Sequence, residues 1–78
     1  MLYEKIKLMN PFASIAIEFY KDTDTYDELA KLVDFSELQI GDLKEYSIDV
    51  AKLTIMRVGF TEYVVNIVRK MDGTLGHY

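Results

Sequence analysis

The chain contains no cysteine and no tryptophan, and it has one histidine and one proline. Without cysteine it can form neither a disulfide framework nor a thiolate metal site. Small secreted domains usually rely on such crosslinks, so their absence favours a reducing setting, and we expect a cytoplasmic protein. Half of the residues are hydrophobic, which suffices for the core of a single domain over residues 1–78.

Residues that commonly carry catalysis are equally scarce. The single histidine, His77, stands next to the C-terminus, where a preorganised site is hard to build. The chain has no phosphate-binding glycine loop and no recognisable nucleophile motif. Asp22, Asp24 and Asp27 are spaced closely enough for a calcium loop, but Asp27 stands where an EF-hand needs glycine, and Val33 where it needs glutamate. We therefore expect no enzyme activity, no cofactor and no metal ion.

Long apolar runs are also missing. The longest stretch without a charged residue, residues 8–17, has ten residues, about half of what a membrane-spanning helix needs. Residues 1–7 carry charges where a secretory signal has its apolar run. The sequence therefore predicts neither a membrane span nor a signal peptide.

The net charge of −4 is unevenly distributed. Residues 18–49 contain ten carboxylates and three lysines, whereas residues 1–17 and 50–78 each carry a small excess of positive charge. A negative segment of this kind is typical either of an interaction surface or of solvated helix faces. The sequence leaves both interpretations open.

The first two segments permit more than one structure. Residues 2–9 alternate apolar and polar side chains, interrupted only by Glu4, and this alternation predicts a strand. Residues 10–21 fit either a helix that begins at Asn10 and Pro11 or a second strand. We favour the strand, with Asn10 and Pro11 forming the turn of a hairpin.

Two capping boxes follow in the central segment. Thr25 with Glu28 predicts a helix over residues 25–34, which has an apolar stripe on one side. Ser36 with Gln39 predicts a second, short helix. Its inward residues would be Ile40, Leu43 and Tyr46.

The C-terminal part indicates a β-hairpin. Residues 52–58 and 61–70 are rich in Val, Ile and Thr and flank Gly59, which suits a two-residue turn. In that register Arg57 lies opposite Glu62, a favourable pair. Residues 61–71 also fit a helix, and residues 46–50 fit a further strand. We favour the hairpin and expect residues 73–78 to be frayed.

These segments together predict a small α+β domain with an N-terminal strand or hairpin, one or two short central helices and a C-terminal β-hairpin. The predicted hairpin is apolar on both faces, which is more than a thin helical layer can cover. One face would hold Leu53, Ile55, Val64 and Val68. The other would hold Met56, Val58, Tyr63, Val65 and Ile67. We therefore expect a homodimer, and a self-assembling structural protein is a further alternative.

Residues 28–46 also fit a helix-turn-helix, although Asp34 stands where that motif usually has glycine. The helix that would read DNA carries Glu37, Asp42 and Glu45 against a single lysine. DNA binding draws much of its affinity from Lys and Arg on phosphates. Direct binding of nucleic acid is therefore disfavoured, and a helix-turn-helix transcriptional regulator is the second functional hypothesis.

The acidic segment leads to the main functional hypothesis. A negative surface can dock onto a basic, nucleic-acid-handling partner protein as a nucleic-acid mimic and inhibit it, in a fast and salt-sensitive encounter. Neighbouring tyrosines would add contact area. The candidate partner-binding residues are Glu18, Asp22, Asp24, Asp27, Glu28, Asp34, Glu37, Asp42, Glu45, Tyr20 and Tyr26.

Overall fold

The computed structural model describes residues 2–70, which form two helices and four strands. In chain order these are α1 (Leu2–Leu8), β1 (Ser14–Tyr20), α2 (Asp24–Leu32), β2 (Leu43–Ser47), β3 (Ala51–Arg57) and β4 (Glu62–Arg69). The predicted α+β class is confirmed. No helix in this range has the length and the apolar character needed to cross a membrane.

The four strands form one antiparallel sheet in the order β1-β4-β3-β2. Strands β2, β3 and β4 form a meander in which neighbours in sequence are neighbours in space. Strand β1 precedes this meander in the chain and pairs with its last strand, β4. Within the described range, β1 and β2 are therefore the two edge strands.

The core lies between the helices and one face of the sheet. Every second residue is buried from Ala51 to Ile55 in β3 and from Tyr63 to Arg69 in β4, as the period of two in a strand requires. Burial of a Leu, Ile or Val side chain contributes about 1.5–3 kcal/mol. The largest fully buried side chains are Ile6, Leu29, Leu53, Ile55, Ile67 and Val65.

The first segment is a helix, so the strand predicted over residues 2–9 is wrong. Leu2 and Ile6 are one helical turn apart and both are buried, whereas Leu8 is 86% exposed. The backbone N–H of Leu2 donates to the Glu28 carboxylate at 2.8 Å, which satisfies one of the donors that a first helical turn leaves unpaired. Because α1 has seven residues, too few for a stable isolated helix, its contacts with α2 and β4 stabilise it.

The strand favoured for residues 10–21 is confirmed as β1, but the predicted N-terminal hairpin is wrong. Asn10 and Pro11 link α1 to β1 rather than one strand to another, and the Ala13 N–H donates to the Asn10 carbonyl oxygen at 3.0 Å. Phe12 in this link has a φ of 67° and is 69% exposed. The partner of β1 is β4, which lies far away in the sequence.

The helix predicted over residues 25–34 is confirmed as α2, with a different N-cap. The Thr23 hydroxyl accepts a hydrogen bond from the Tyr26 N–H at 3.4 Å, so the cap lies two residues before the predicted Thr25. Glu28 consequently does not complete a capping box with Thr25. Its carboxylate is used by α1 instead.

The second helix, predicted from Ser36, does not form. The Asp34 carboxylate accepts hydrogen bonds from the N–H and the hydroxyl of Ser36, at 3.1 and 2.7 Å. Such a local side-chain turn competes with helix formation, and residues 33–42 form irregular turns. The segment from residue 28 to 46 therefore contains the end of one helix, turns and a strand, and a helix-turn-helix is absent from it.

The inward residues of that segment also differ from the prediction. Ile40 and Leu43 are 58% and 56% exposed, and of the three predicted side chains only Tyr46 is partly buried. Phe35 and Leu38 fill the core in their place. The irregular turns therefore present a different set of side chains to the core from the set that a helix would present.

The C-terminal hairpin is confirmed, but its register differs from the prediction by one residue. Arg57 lies opposite Tyr63, not opposite Glu62. The N–H groups of Val58 and Gly59 both donate to the Glu62 carbonyl oxygen, at 2.9 and 3.1 Å, so the connection is longer than two residues. A shift of one residue moves the side chains of one strand to the other face relative to its neighbour.

The observed register changes which residues share a face of the hairpin. Val65 and Ile67 lie with Leu53 and Ile55 on the buried face, whereas Val64 and Val68 lie on the opposite face. The further strand predicted at residues 46–50 is instead β2, which ends before most of that range. The frayed tail predicted for residues 73–78 lies outside the described residues.

Candidate protein interface

The sheet face opposite the helices is uncovered within residues 2–70. Side chains alternate across a strand, so every second residue of each strand points to this face. None of these residues is buried. We call this surface the open face, and its residues are Ser14, Ala16, Glu18, Tyr20, Leu43, Glu45, Ser47, Lys52, Thr54, Met56, Glu62, Val64, Asn66 and Val68.

An apolar patch lies at one end of the open face. The register aligns Leu43 with Met56, and Met56 with Val64, across three adjacent strands. Tyr20 and Val58 stand beside this row and line a shallow groove with Val64. These five residues are the apolar patch. Tyr20, Leu43 and Val58 are 48%, 56% and 43% exposed, and exposed apolar side chains that cluster in this way are typical of a contact surface.

Two more exposed apolar side chains stand at the same end of the sheet. Ile40 is 58% exposed and Phe60 is 80% exposed. The Gly41 N–H donates to the Arg57 carbonyl oxygen at 2.7 Å, which brings Ile40 beside the end of β3. Phe60 lies in the connection that follows β3. Exposed apolar side chains therefore cluster where β2 begins and β3 ends, while Leu8 and Phe12 are exposed elsewhere on the molecule.

Arg57 connects two backbone segments at this end of the sheet. Its guanidinium donates to the carbonyl oxygens of Leu38, Gly59 and Phe60, at 3.0, 3.3 and 2.7 Å. It also lies 5.8 Å from the ring centre of Tyr63. Arg57 thereby joins the turns before β2 to the connection after β3. Its charge is used on the helix side of the sheet rather than on the open face.

The charge of the open face is mostly negative. It carries Glu18, Glu45 and Glu62 against Lys52, whose Nζ lies 3.8 Å from Glu45 Oε1. Glu18 and Glu62 line the groove of the apolar patch. Among residues 2–70 neither of them has a cation at salt-bridge distance. The apolar patch therefore has a negative border.

The structure separates the predicted partner-binding residues into three groups. The open-face group contains Glu18, Tyr20 and Glu45. The α2 group contains Asp24, Tyr26, Asp27 and Glu28 of α2, together with Asp22 in the turn that precedes it. The turn group contains Asp34, Glu37 and Asp42. These groups lie on different elements of the fold: the open sheet face, α2 with the turn before it, and the turns before β2.

Two members of the α2 group have roles inside the fold. Glu28 accepts the hydrogen bond from the first turn of α1. The Tyr26 ring packs against Phe35 and Tyr63, with ring centres 5.0 and 5.5 Å away. Burial raises the pKa of the Tyr26 hydroxyl, and the neighbouring Tyr63 raises it further. Asp22, Asp24 and Asp27 are exposed.

Two residues of the turn group, Asp34 and Asp42, also have roles inside the fold. The Asp34 carboxylate holds the Ser36 turn, and the Asp42 carboxylate accepts a hydrogen bond from the Gln39 N–H at 3.0 Å. Burial raises the pKa of the nearby Tyr46 hydroxyl, and the carboxylates of Asp34 and Glu37 raise it further. Glu37 is exposed.

The shape of the apolar patch suits a macromolecule better than a small molecule. Its groove has a volume of about 140 Å³, whereas small-molecule sites usually occupy about 300–1,000 Å³. Within residues 2–70 no three acidic or histidine side chains approach closely enough to hold a metal ion. A shallow apolar surface with a charged border has the anatomy of a protein interface.

Sequence reasoning identified part of the open face and missed most of the apolar patch. The sequence predicts Glu18 and Tyr20 as contact residues, whereas it places Leu43 in the core of a helix. Met56 and Val64 were placed on opposite faces because the hairpin register was off by one residue. The signal that could have found them is the register of β3 with β4.

No protein-family model, no curated protein and no solved structure matches the chain.

Proposed function

We propose that the chain is a non-enzymatic, cytoplasmic protein-binding module that docks its open face onto a basic surface of a partner protein. The observation that carries the proposal is the apolar patch with its border of carboxylates, on a sheet face that residues 2–70 leave uncovered. The partner would be a protein with exposed Lys or Arg around an apolar contact point.

The apolar patch would supply the affinity. Apolar surface removed from water contributes about 25 cal/mol per Å² before the costs of association are subtracted. Leu43 and Met56 present large side chains on adjacent strands and Tyr20 presents one on β1, and the hydrogen-bonded sheet holds the backbone of each residue in place. Rigid anchors lose little conformational freedom on binding, which is why a few such residues usually dominate an interface.

The carboxylates of the open face would determine which partner binds. Glu18 and Glu62 stand at the border of the patch, where a bound protein would partly exclude water from them. Their charge favours a cationic partner and opposes an anionic one. The α2 group and the turn group extend the negative field over other parts of the molecule, consistent with the net charge of −4. Attraction of this kind speeds association and weakens as salt rises.

A partner that uses the same basic surface for nucleic acid would be inhibited by competition. Phosphates and carboxylates are both anionic acceptors of hydrogen bonds from Lys and Arg, so both satisfy the same surface. In that case the chain acts as a nucleic-acid mimic on one side of the sheet. The apolar patch then adds contacts that a phosphate backbone lacks.

The test begins with capture of partners by the tagged full chain from nuclease-treated lysate over a salt series. Binding of each captured protein is then measured with purified components. We expect a basic protein whose affinity falls as salt rises and which nucleic acid displaces. The charge variant Glu18→Lys with Glu62→Lys should weaken binding about tenfold or more at low salt and flatten the salt dependence. The apolar variant Leu43→Ser with Val58→Ser should weaken binding at every salt concentration.

A control with the same change in charge separates the open face from the other acidic groups. Asp27→Lys with Glu37→Lys alters one exposed carboxylate of the α2 group and one of the turn group. It should reduce affinity only as far as the net charge predicts. Loss of binding in this control, with full binding in both open-face variants, would place the interface elsewhere. Recovery of nucleic acid as a direct ligand would overturn the proposal.

A further inference from the structure

The two edges of the sheet differ in how well they are protected against pairing with another strand. β2 is short, five residues, and carries Lys44 and Glu45 at its centre. β1 has seven residues, of which Glu18 is the only charged one. Short length and charge are the usual means by which proteins prevent edge strands from pairing. β2 is both short and charged, whereas β1 is longer and has a single charge.

The hydrogen-bonding direction of β1 is fixed at both of its ends. The Arg69 N–H donates to the Ala13 carbonyl oxygen at 2.8 Å, and the Lys21 N–H donates to the Thr61 carbonyl oxygen at 2.9 Å. The odd-numbered residues of β1 therefore turn their backbone groups toward β4. The backbone groups of the even-numbered residues point to the open edge, where the described chain places no strand. The Tyr20 carbonyl oxygen agrees with this direction, since it accepts from the Thr23 hydroxyl outside the ladder.

Side chains on the helix side of the same edge are incompletely covered. Ile15 is 37% exposed and Ile17 is only partly buried. Both line a groove that also contains Lys5 of α1 and Asp24 and Glu28 of α2. The groove thus offers apolar surface together with charges of both signs. A second copy of the same groove can satisfy such a combination, because each copy brings the cation and the carboxylates that the other can pair with.

We infer that two copies of this chain pair antiparallel through β1 and form a continuous eight-stranded sheet about a two-fold axis. The axis passes at Ile17, so that Ile17 faces Ile17 of the second copy in a pair without hydrogen bonds. Ala16 then lies opposite Glu18 of the second copy, and the outward backbone groups of both residues bond across the edge. The inference does not depend on the proposed function, because it uses a strand edge rather than the open face.

Charge and backbone geometry select this register. An axis one residue later, at Glu18, would place two carboxylates directly opposite each other, which is destabilising. An axis one residue earlier, at Ala16, would bring Phe12 into the ladder. Phe12 has a φ of 67°, which is incompatible with strand pairing. The axis at Ile17 uses all of β1, from Ser14 to Tyr20, without either conflict.

The first test is the mass of the full chain in solution, measured by sedimentation and light scattering at micromolar to millimolar concentration. We expect twice the chain mass of 9.1 kDa. Ala16→Pro removes an N–H that points to the open edge and should restore the monomer mass. Glu45→Pro makes the same kind of change at the β2 edge and should leave the dimer mass unchanged. A monomer at every concentration, or an Ala16→Pro variant that remains dimeric, would overturn the inference.

The second test determines the register by disulfide crosslinking of single-cysteine variants. The chain itself contains no cysteine, so only the introduced residue can form the crosslink. Opposed residues in a pair without hydrogen bonds have Cα atoms about 4.5 Å apart, within the reach of a disulfide. Ile17→Cys should therefore form a covalent dimer rapidly on oxidation. Ile15→Cys lies on the same face of the same strand, but its two copies would be about 13 Å apart. Equal crosslinking of both variants, or crosslinking of Ile15→Cys alone, would contradict this register.

Discussion

The carboxylate of Glu28 accepts a hydrogen bond from the backbone N–H of Leu2 at 2.8 Å, so that α2 supplies the N-terminal partner of α1. The two residues are 26 positions apart in the chain. The contact contributes to the stability of a helix in a segment that has the alternation of a strand. A buried turn with Leu2 and Ile6 on one side packs onto the core, and Glu28 satisfies a donor at its start.

Removal of this acceptor should loosen α1. Glu28→Ala leaves the Leu2 N–H without its partner, and we expect a loss of about 1–2 kcal/mol in the free energy of unfolding. Glu28→Gln keeps an oxygen acceptor and should lose less. Urea unfolding followed by circular dichroism measures both. Asp27→Asn, on the exposed side of the same helix turn, is the control and should change stability by less than Glu28→Ala. Equal losses in all three variants would mean that the bond does not hold α1.

Arg57 should contribute strongly to the stability of the fold. Its guanidinium donates to three carbonyl oxygens in two connections, a geometry that the single ammonium group of lysine cannot reproduce. We expect Arg57→Lys to lower the free energy of unfolding by about 2 kcal/mol, because hydrogen bonds from charged donors are lost together. Thermal and urea unfolding provide the measurement. Lys52→Arg, a conservative change on the opposite face of the same strand, should be nearly neutral.

Local sequence signals were sufficient for the parts of the fold that depend on local contacts. The apolar stripe around Leu29 predicted α2, and the Val- and Ile-rich strands around Gly59 predicted the C-terminal hairpin. Both elements can be predicted from a short stretch of sequence, because helix periodicity and hairpin composition are properties of a few neighbouring residues. The boundaries shifted by one or two residues, since Thr23 competes with Thr25 for the cap.

The parts that were missed depend on specific contacts that composition and periodicity do not show. The first turn of α1 donates to Glu28, 26 positions away, and the Asp34 carboxylate holds Ser36 in a turn in place of the capping pair of Ser36 and Gln39. The register of the hairpin depends on a connection in which two N–H groups share the Glu62 carbonyl oxygen.

The candidate site could therefore be predicted only in part. Its carboxylates are visible in the sequence, whereas the apolar patch appears only once the register is known. The sequence also could not show which carboxylates are used inside the fold, since that depends on contacts such as the one between Glu28 and Leu2.

The pKa of Asp34 should report the turn that replaces the predicted helix. The Ser36 hydroxyl, followed by the Ser36 N–H, holds the pKa of the Asp34 carboxyl below its ordinary value. A carboxyl whose pKa is lower in the folded chain stabilises the fold above the ordinary pKa of about 4. That contribution is lost as the pH falls through the folded pKa. Ser36→Ala should raise the pKa of Asp34, as measured by NMR titration of the carboxyl carbon. Ser47→Ala should leave it unchanged, and an unchanged pKa in Ser36→Ala would contradict the role of the hydroxyl.

Val64 and Val65 provide the sharpest check on which face of the sheet is buried. They are neighbours in β4 and identical in chemistry, but Val65 is fully buried under the helices and Val64 is a partly exposed member of the apolar patch. Val65→Ala should lower the free energy of unfolding by about 2–3 kcal/mol, because it leaves a cavity in the core. Val64→Ala should cost about 1 kcal/mol or less, since water already reaches that face. Urea unfolding of the two variants gives the comparison directly. If Arg57 lay opposite Glu62, Val64 would share the buried face with Leu53. That register predicts the larger loss of stability for Val64→Ala.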